Sequence, residues 1–164
     1  MLSNNNEHAL QFALSLADTG EPTGRYERRL IGMHDHWLTE AEADEQIIFY
    51  QGIKDEQGYN RYLSQEANLV ALYLELHRCA PLQVFQESEE QFQALDDVPE
   101  LIQQVTLGTR EKAYYIFYSP LFDSIFTSAH DVAVVLYMLN NEAKPRAEYT
   151  IAQLVKAHHL YMLH

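Results

Sequence analysis

The fold class depends most on residues 132–139, which read VAVVLYML and form the longest uninterrupted apolar run of the chain. Eight consecutive apolar residues indicate an element that is buried on all sides, and this pattern suits either a core helix or a buried strand. Thr127 or Ser128 before the run is a suitable helix cap, and Asn140-Asn141 after it is a suitable left-handed stop. We therefore expect a buried helix here.

The segments on either side carry further helix signals. Residues 59–77 are apolar nearly all round, which is typical of a central helix. Asn4-Asn5-Asn6 precede apolar residues at helical spacing, and Pro99 and Gly108 bracket a short apolar segment in the way that helix ends do. Three pairs have the spacing of a capping box, in which two side chains satisfy two free backbone donors: Thr39 with Glu42, Ser88 with Gln91, and Thr150 with Gln153.

The stretch 109–126 is ambiguous. Its aromatic residues suit a helix, but residues 113–118 are dense in β-formers and Pro120 interrupts the pattern. We favour a helix and allow a short β element near residues 112–118. The sum is about seven or eight helices, so the sequence predicts an all-α fold. No repeat or flexible linker divides the chain, and residues 1–164 are expected to form a single helical domain.

Composition sets limits on compartment and ligand. The 164 residues are 47% apolar and carry a net charge of −13, so direct binding to nucleic acid or to an anionic membrane is not expected. A single cysteine, Cys79, cannot form an intrachain disulfide. The longest apolar run is shorter than the roughly 20 residues of a membrane-spanning helix, and the first eight residues lack the pattern of a targeting signal. These features predict a cytoplasmic protein.

The acidity is uneven along the chain. Residues 55–108 carry 2 basic and 10 acidic side chains, whereas residues 109–164 carry 5 of each. A charge run of this kind usually forms a solvated face that keeps a protein in solution. It also suits a docking surface for a basic partner, because electrostatic complementarity raises association rate and specificity. No Lys or Arg lies between Cys79 and Thr109, and six acids fall in that gap: Glu87, Glu89, Glu90, Asp96, Asp97 and Glu100.

Catalytic motifs are missing from the sequence. There is no nucleophile elbow, phosphate-binding loop or dinucleotide fingerprint. The His-Asp pairs His34-Asp35 and His130-Asp131 are the ligand types of HD-type metal-dependent hydrolases, which gives the alternative hypothesis, with His8 as a further ligand. Against it, Asp131 suits the first turn of the expected helix as a cap and dipole partner without any metal. Cys79 follows His77 and Arg78, which could activate an exposed thiol. It lies at the end of an apolar helix, however, so we expect a half-buried thiol rather than a nucleophile.

The sequence thus predicts a small acidic interaction protein, an adaptor, inhibitor or regulator rather than an enzyme, with no cofactor. It would dock a protein partner with a basic face through an acidic surface within residues 40–100. A sharper version has the carboxylates imitate the phosphates of a nucleic acid. Tyr115 is added to the candidate contact residues because tyrosine suits interfaces, whereas Phe117 and Tyr118 are expected in the core. Arg25, Arg28 and Arg29 are expected to neutralise acids within the chain.

Overall fold

A seven-stranded antiparallel sheet forms the centre of the structure, which is a computed structural model describing residues 4–20, 25–46 and 49–164. The strand order is β3-β2-β4-β5-β6-β1-β7. The strands are β1 (Tyr26–Gly32), β2 (Gln83–Gln86), β3 (Gln91–Ala94), β4 (Ile116–Ser119), β5 (Ser124–Ala129), β6 (Ala133–Leu139) and β7 (Tyr161–Leu163).

Five α-helices accompany the sheet in the described part of the chain. They are α1 (Asn4–Thr19), α2 (Glu40–Gln46), α3 (Glu56–Cys79), α4 (Val98–Thr109) and α5 (Lys144–Ala157), with short 3₁₀ turns at Tyr50–Gly52 and Glu87–Glu89. The protein is therefore a mixed α/β protein. The prediction of an all-α fold of seven or eight helices is wrong.

Strand β6 shows why the decisive run was misassigned. Its side chains alternate, with Val134, Leu136 and Met138 directed to one face of the sheet and Val135 and Tyr137 to the other. Both faces are covered by helices, so every position is apolar and the period of two that identifies a strand does not appear. The proposed caps Thr127 and Ser128 lie inside β5, which pairs with β6 along its whole length.

The stretch 109–126 also departs from the helix that we favoured. Strand β4 and the start of β5 occupy it, and Pro120 lies in the turn between them. The short β element expected near residues 112–118 overlaps β4 at residues 116–118. The β-formers therefore indicated the correct structure there, and the helical spacing of the aromatics did not.

Helix starts were predicted with mixed success. The Thr39–Glu42 capping box is present: the Glu42 amide donates to the Thr39 hydroxyl at 3.4 Å, and the Thr39 amide donates to the Glu42 carboxylate at 2.9 Å. Asn4, Asn5 and Asn6, expected as caps, instead lie inside α1. The other two capping boxes are wrong. Ser88 lies in a 3₁₀ turn before β3, and Thr150 lies inside α5, which begins at Lys144.

Helices cover both faces of the sheet. Helix α1 packs on one face, where Phe12 contacts the rings of Tyr26 and Tyr137 at centroid distances of 4.4 and 4.9 Å. We call this the α1 face. Helices α3, α4 and α5 pack on the opposite face, where they contact sheet side chains such as Ile31 and Phe126. We call this the three-helix face. The result is a three-layer arrangement that buries the sheet from both sides.

Two ion pairs join helices to their neighbours on the three-helix face. Arg110, just after α4, makes two hydrogen bonds of 2.7 Å to the buried Glu66 carboxylate of α3. Arg29 of β1 donates to Glu148 of α5 at 2.8 Å and also bonds Glu27. Of the three clustered arginines, Arg29 neutralises acids within the chain, as expected. Arg25 and Arg28 have no carboxylate partner among the described residues, so the expectation does not hold for them there.

Candidate functional site

The six acidic candidates surround strand β3, which forms one edge of the sheet. Glu87, Glu89 and Glu90 lie in the turn between β2 and β3. Asp96 and Asp97 connect β3 to α4, and Glu100 lies in the first turn of that helix. All six side chains are exposed. We call the six acids together with β3 the acidic edge.

One side of β3 has free backbone groups. Strand β3 pairs with β2 alone, and the Leu95 amide continues that pairing by donating to the Leu82 carbonyl at 3.0 Å. Hydrogen-bonded and non-hydrogen-bonded pairs alternate along an antiparallel ladder. It follows that the amides and carbonyls of Phe92 and Ala94 point away from β2, where the described part of the chain places no strand. Such a row of groups is a template for pairing with another chain.

Side chains hold the acidic edge in place. The Glu89 carboxylate accepts hydrogen bonds from the side-chain amides of Gln91 and Gln93 at 2.5 and 2.7 Å. On the α1 face, Phe92 packs against the rings of Phe85 and Tyr118 at 5.6 and 5.3 Å. The strand is therefore fixed by contacts on both of its faces, while its outer edge stays open.

The acids between residues 40 and 56 form a separate group. They belong to α2 and the start of α3, and Arg61 of α3 joins the two by donating to the Gln46 carbonyl at 3.0 Å. Helix α3 has 24 residues and is about 36 Å long. Strand β2 begins only four residues beyond its other end. Most of the acids expected to form one surface within residues 40–100 are thus divided between two places in the fold: α2 with the start of α3, and the acidic edge.

The aromatic candidates divide between core and surface. Phe117 and Tyr118 are buried, as expected. Tyr115 is half-buried and stacks on Phe117 with 6.0 Å between the ring centroids, so it is largely committed to the three-helix core. Cys79 is exposed at the end of α3, so the expectation of a half-buried thiol is wrong.

The two His-Asp pairs lie in different surroundings. His36, beside His34-Asp35, bonds Asp35 at 2.7 Å and lies 3.4 Å from Glu42. His130 instead faces Glu111 at 3.2 Å. Among residues 4–20, 25–46 and 49–164, no three His, Cys, Asp or Glu side chains are grouped in a way that could hold a metal ion, and His8 is exposed on α1. The metal-hydrolase hypothesis therefore gains no support from the geometry.

Asp131 does not have the role expected for it. It lies in the β5–β6 turn rather than in the first turn of a helix, and its backbone is left-handed with φ of 66°. Partial burial and the neighbouring Glu111 carboxylate raise the pKa of Asp131.

We predict opposite pKa shifts for the neighbouring histidines His34 and His36. Hydrogen bonds to Asp35 and Glu42 raise the pKa of His36 above its usual 6.5. Partial burial and the nearby His36 charge lower the pKa of His34. The stabilisation from charged His36 is present below its unfolded pKa and is lost as pH rises through its folded pKa.

Titration of the imidazole C2–H signals by NMR measures both pKa values. We expect His36 to titrate at the higher pH, and Asp35→Asn to bring its pKa down towards the usual value. Titration of His34 at a higher pH than His36 would contradict this arrangement of side chains.

No helix in the described part of the chain is both long enough and apolar enough to span a membrane. Searches against protein-family models, characterised proteins and solved structures find no match to this chain, so its function is inferred from its own residues.

Proposed function

We propose that this protein is a binding protein, an adaptor, inhibitor or regulator, which docks a basic protein partner on the acidic edge. The observation that supports this most is the combination of six exposed acids with an open strand edge between them. A partner segment that pairs with β3 would gain backbone hydrogen bonds and place its own Lys and Arg side chains near the acids. Addition of a strand to a sheet edge is a recurring mode of peptide recognition.

Charge on the acidic edge has no basic residue nearby in the sequence to neutralise it. No Lys or Arg occurs between Cys79 and Thr109, so the six carboxylates act together on an approaching partner. A field of one sign accelerates association with a basic face and disfavours acidic partners. The same field disfavours nucleic acid as a direct ligand.

The compartment and a sharper partner class are part of the proposal. A single exposed cysteine suits a cytoplasmic protein, where thiols stay reduced. Proteins that bind DNA or RNA carry basic faces of the required kind, and carboxylates in the place of phosphates would occupy such a face. This version requires the protein to compete with duplex or single-stranded nucleic acid for its partner.

The test uses the full chain and a capped peptide in which lysine and valine alternate, with binding followed by fluorescence anisotropy. We expect the protein to prefer this peptide to its glutamate-valine counterpart and to bind it more weakly as salt rises, because salt screens exposed charges. The double variant Glu90→Lys, Asp96→Lys should raise the Kd for the lysine-valine peptide by about tenfold or more, because it reverses the charge before and after β3.

A matched control separates the acidic edge from net charge. The double variant Glu45→Lys, Glu142→Lys changes the net charge by the same amount. Glu45 lies in α2, and Glu142 follows β6, which is separated from β3 by three strands of the sheet. We expect it to bind the lysine-valine peptide nearly as the wild type does. Equal losses in the two double variants, or no binding by the wild type, would contradict the proposal.

A further inference from the structure

A cavity of about 540 Å³ opens on the α1 face, at the end of the sheet where α1 stops. Its apolar wall consists of Leu16 from α1, Ala129 from β5 and Val135 from β6. The strands that line it are β1, β5 and β6, so it lies apart from the acidic edge. Its volume is within the range of small-molecule binding sites, which are typically lined by apolar residues with a few polar groups.

A basic group and two tyrosines provide the polar part of this cavity. Arg28 lies opposite Tyr137 in the β1–β6 pairing, and its positive charge lowers the pKa of the Tyr137 hydroxyl while burial raises it more strongly. Within the described residues Arg28 has no carboxylate partner, whereas the adjacent Arg29 has two. Burial raises the pKa of the Tyr114 hydroxyl, and the neighbouring Thr127 lowers it by a smaller amount.

The remaining charges of the cavity are engaged elsewhere. Glu111, the one carboxylate among the described lining residues, faces the His130 ring at 3.2 Å. The Lys112 ammonium lies 5.2 Å from the centre of the Tyr50 ring. Arg28 is therefore the charge in the lining that is most available to a ligand, in a chain whose net charge is −13.

Left-handed backbone occurs at one lining residue, Glu111, and in the β5–β6 turn next to the lining residue His130. Glu111 has φ of 55°, and the β5–β6 turn holds both Asp131 and Val132 in left-handed conformation. Val132 is β-branched and almost fully buried, with φ of 55°. A left-handed β-branched residue is a genuine outlier, and such backbone strain clusters at ligand-binding sites.

We propose that this cavity binds a small organic anion with an apolar body. The anionic group lies against the Arg28 guanidinium and the Tyr137 hydroxyl, and the apolar body packs on Leu16, Ala129 and Val135. A guanidinium matches carboxylate and phosphate geometry with two parallel hydrogen bonds. The cavity therefore suits a ligand that carries either a carboxylate or a phosphate group.

The test is an NMR titration of the full chain with three probes: 1-naphthoate, 1-naphthyl phosphate and the uncharged 1-naphthylmethanol. We expect at least one of the two anions to bind saturably and to shift the amide signals of Leu16, Tyr114 and Tyr137. The anion with the lower Kd shows whether the cavity prefers a carboxylate or a phosphate. The uncharged probe should bind at least about tenfold more weakly, because it makes no charge-assisted hydrogen bond.

Two substitutions in the cavity and one matched control complete the experiment. Arg28→Gln should weaken binding of the anion about tenfold or more, and Tyr137→Phe, which removes only a hydroxyl, should weaken it several-fold. Arg25→Gln removes an exposed arginine that does not line the cavity and should leave the Kd unchanged. Absence of saturable binding, shifts mapping elsewhere, or equal affinities in all three variants would overturn the proposal.

Discussion

Replacing Phe12 with alanine is expected to lower the free energy of unfolding by about 3–5 kcal/mol, because it removes a buried aromatic ring and leaves a cavity. Phe12 is 1% exposed and is the residue through which α1 contacts Tyr26 and Tyr137. No other described helix covers this face of the sheet. Chemical denaturation followed by far-ultraviolet circular dichroism measures the loss.

The matched control for this substitution is Phe49→Ala. Phe49 is 50% exposed, so the same change there should cost less than about 1 kcal/mol. A loss below about 1 kcal/mol for Phe12→Ala, or equal losses at the two positions, would contradict the packing of α1 on the sheet.

Replacing Arg110 with methionine is expected to cost about 3 kcal/mol, because it leaves the buried Glu66 carboxylate without a partner. The Glu66 side chain is 9% exposed, and both its oxygens accept hydrogen bonds of 2.7 Å from Arg110. The double variant Glu66→Leu, Arg110→Met removes both charges and should recover most of the loss. Chemical denaturation of the single and double variants gives the coupling energy between the two residues.

An exposed ion pair of the same helix provides the control. Arg78 pairs with Glu75 through two hydrogen bonds, but the Arg78 side chain is 73% exposed. Arg78→Met should therefore cost less than about 1 kcal/mol. If Arg110→Met costs no more than Arg78→Met, the Glu66–Arg110 pair does not join α3 to α4 as described.

The sequence predicted the helices better than the strands, for a physical reason. Helices α1, α3 and α4 lie close to where apolar spacing and caps placed them. Strands β5 and β6 were assigned to helices, because helices cover both sides of the sheet and remove the alternation of apolar and polar residues. The β-branched and aromatic content of residues 132–139 was the signal that could have corrected this.

The acidic residues were recognised from the sequence, but the strand between them was not. Strand β3 reads QFQA, with no β-branched residue and one aromatic, so it has little β-propensity. Its turn from β2 has Glu90 in left-handed conformation, with φ of 50°, where glycine or asparagine is the usual signal. Ser88 and Gln91 have capping-box spacing by coincidence and indicated a helix instead.

The cavity on the α1 face could not be predicted at all. Its lining comes from α1, β1, the end of α4, the segment before β4, β5 and β6, several of which are far apart in the sequence. Arg28 was visible only as one of three clustered arginines. That Arg29 faces α5 while Arg28 faces the α1 side follows from the alternation along β1, and hence only from assigning that segment to a strand.

Amide hydrogen exchange across β3, with and without the lysine-valine peptide, tests the central claim most directly. In the free protein the amides of Gln91 and Gln93 should exchange more slowly than those of Phe92 and Ala94, because only the first two point to β2. Addition of the peptide should slow exchange at Phe92 and Ala94. If these two amides stay unprotected while the peptide is bound, the partner does not pair with the acidic edge.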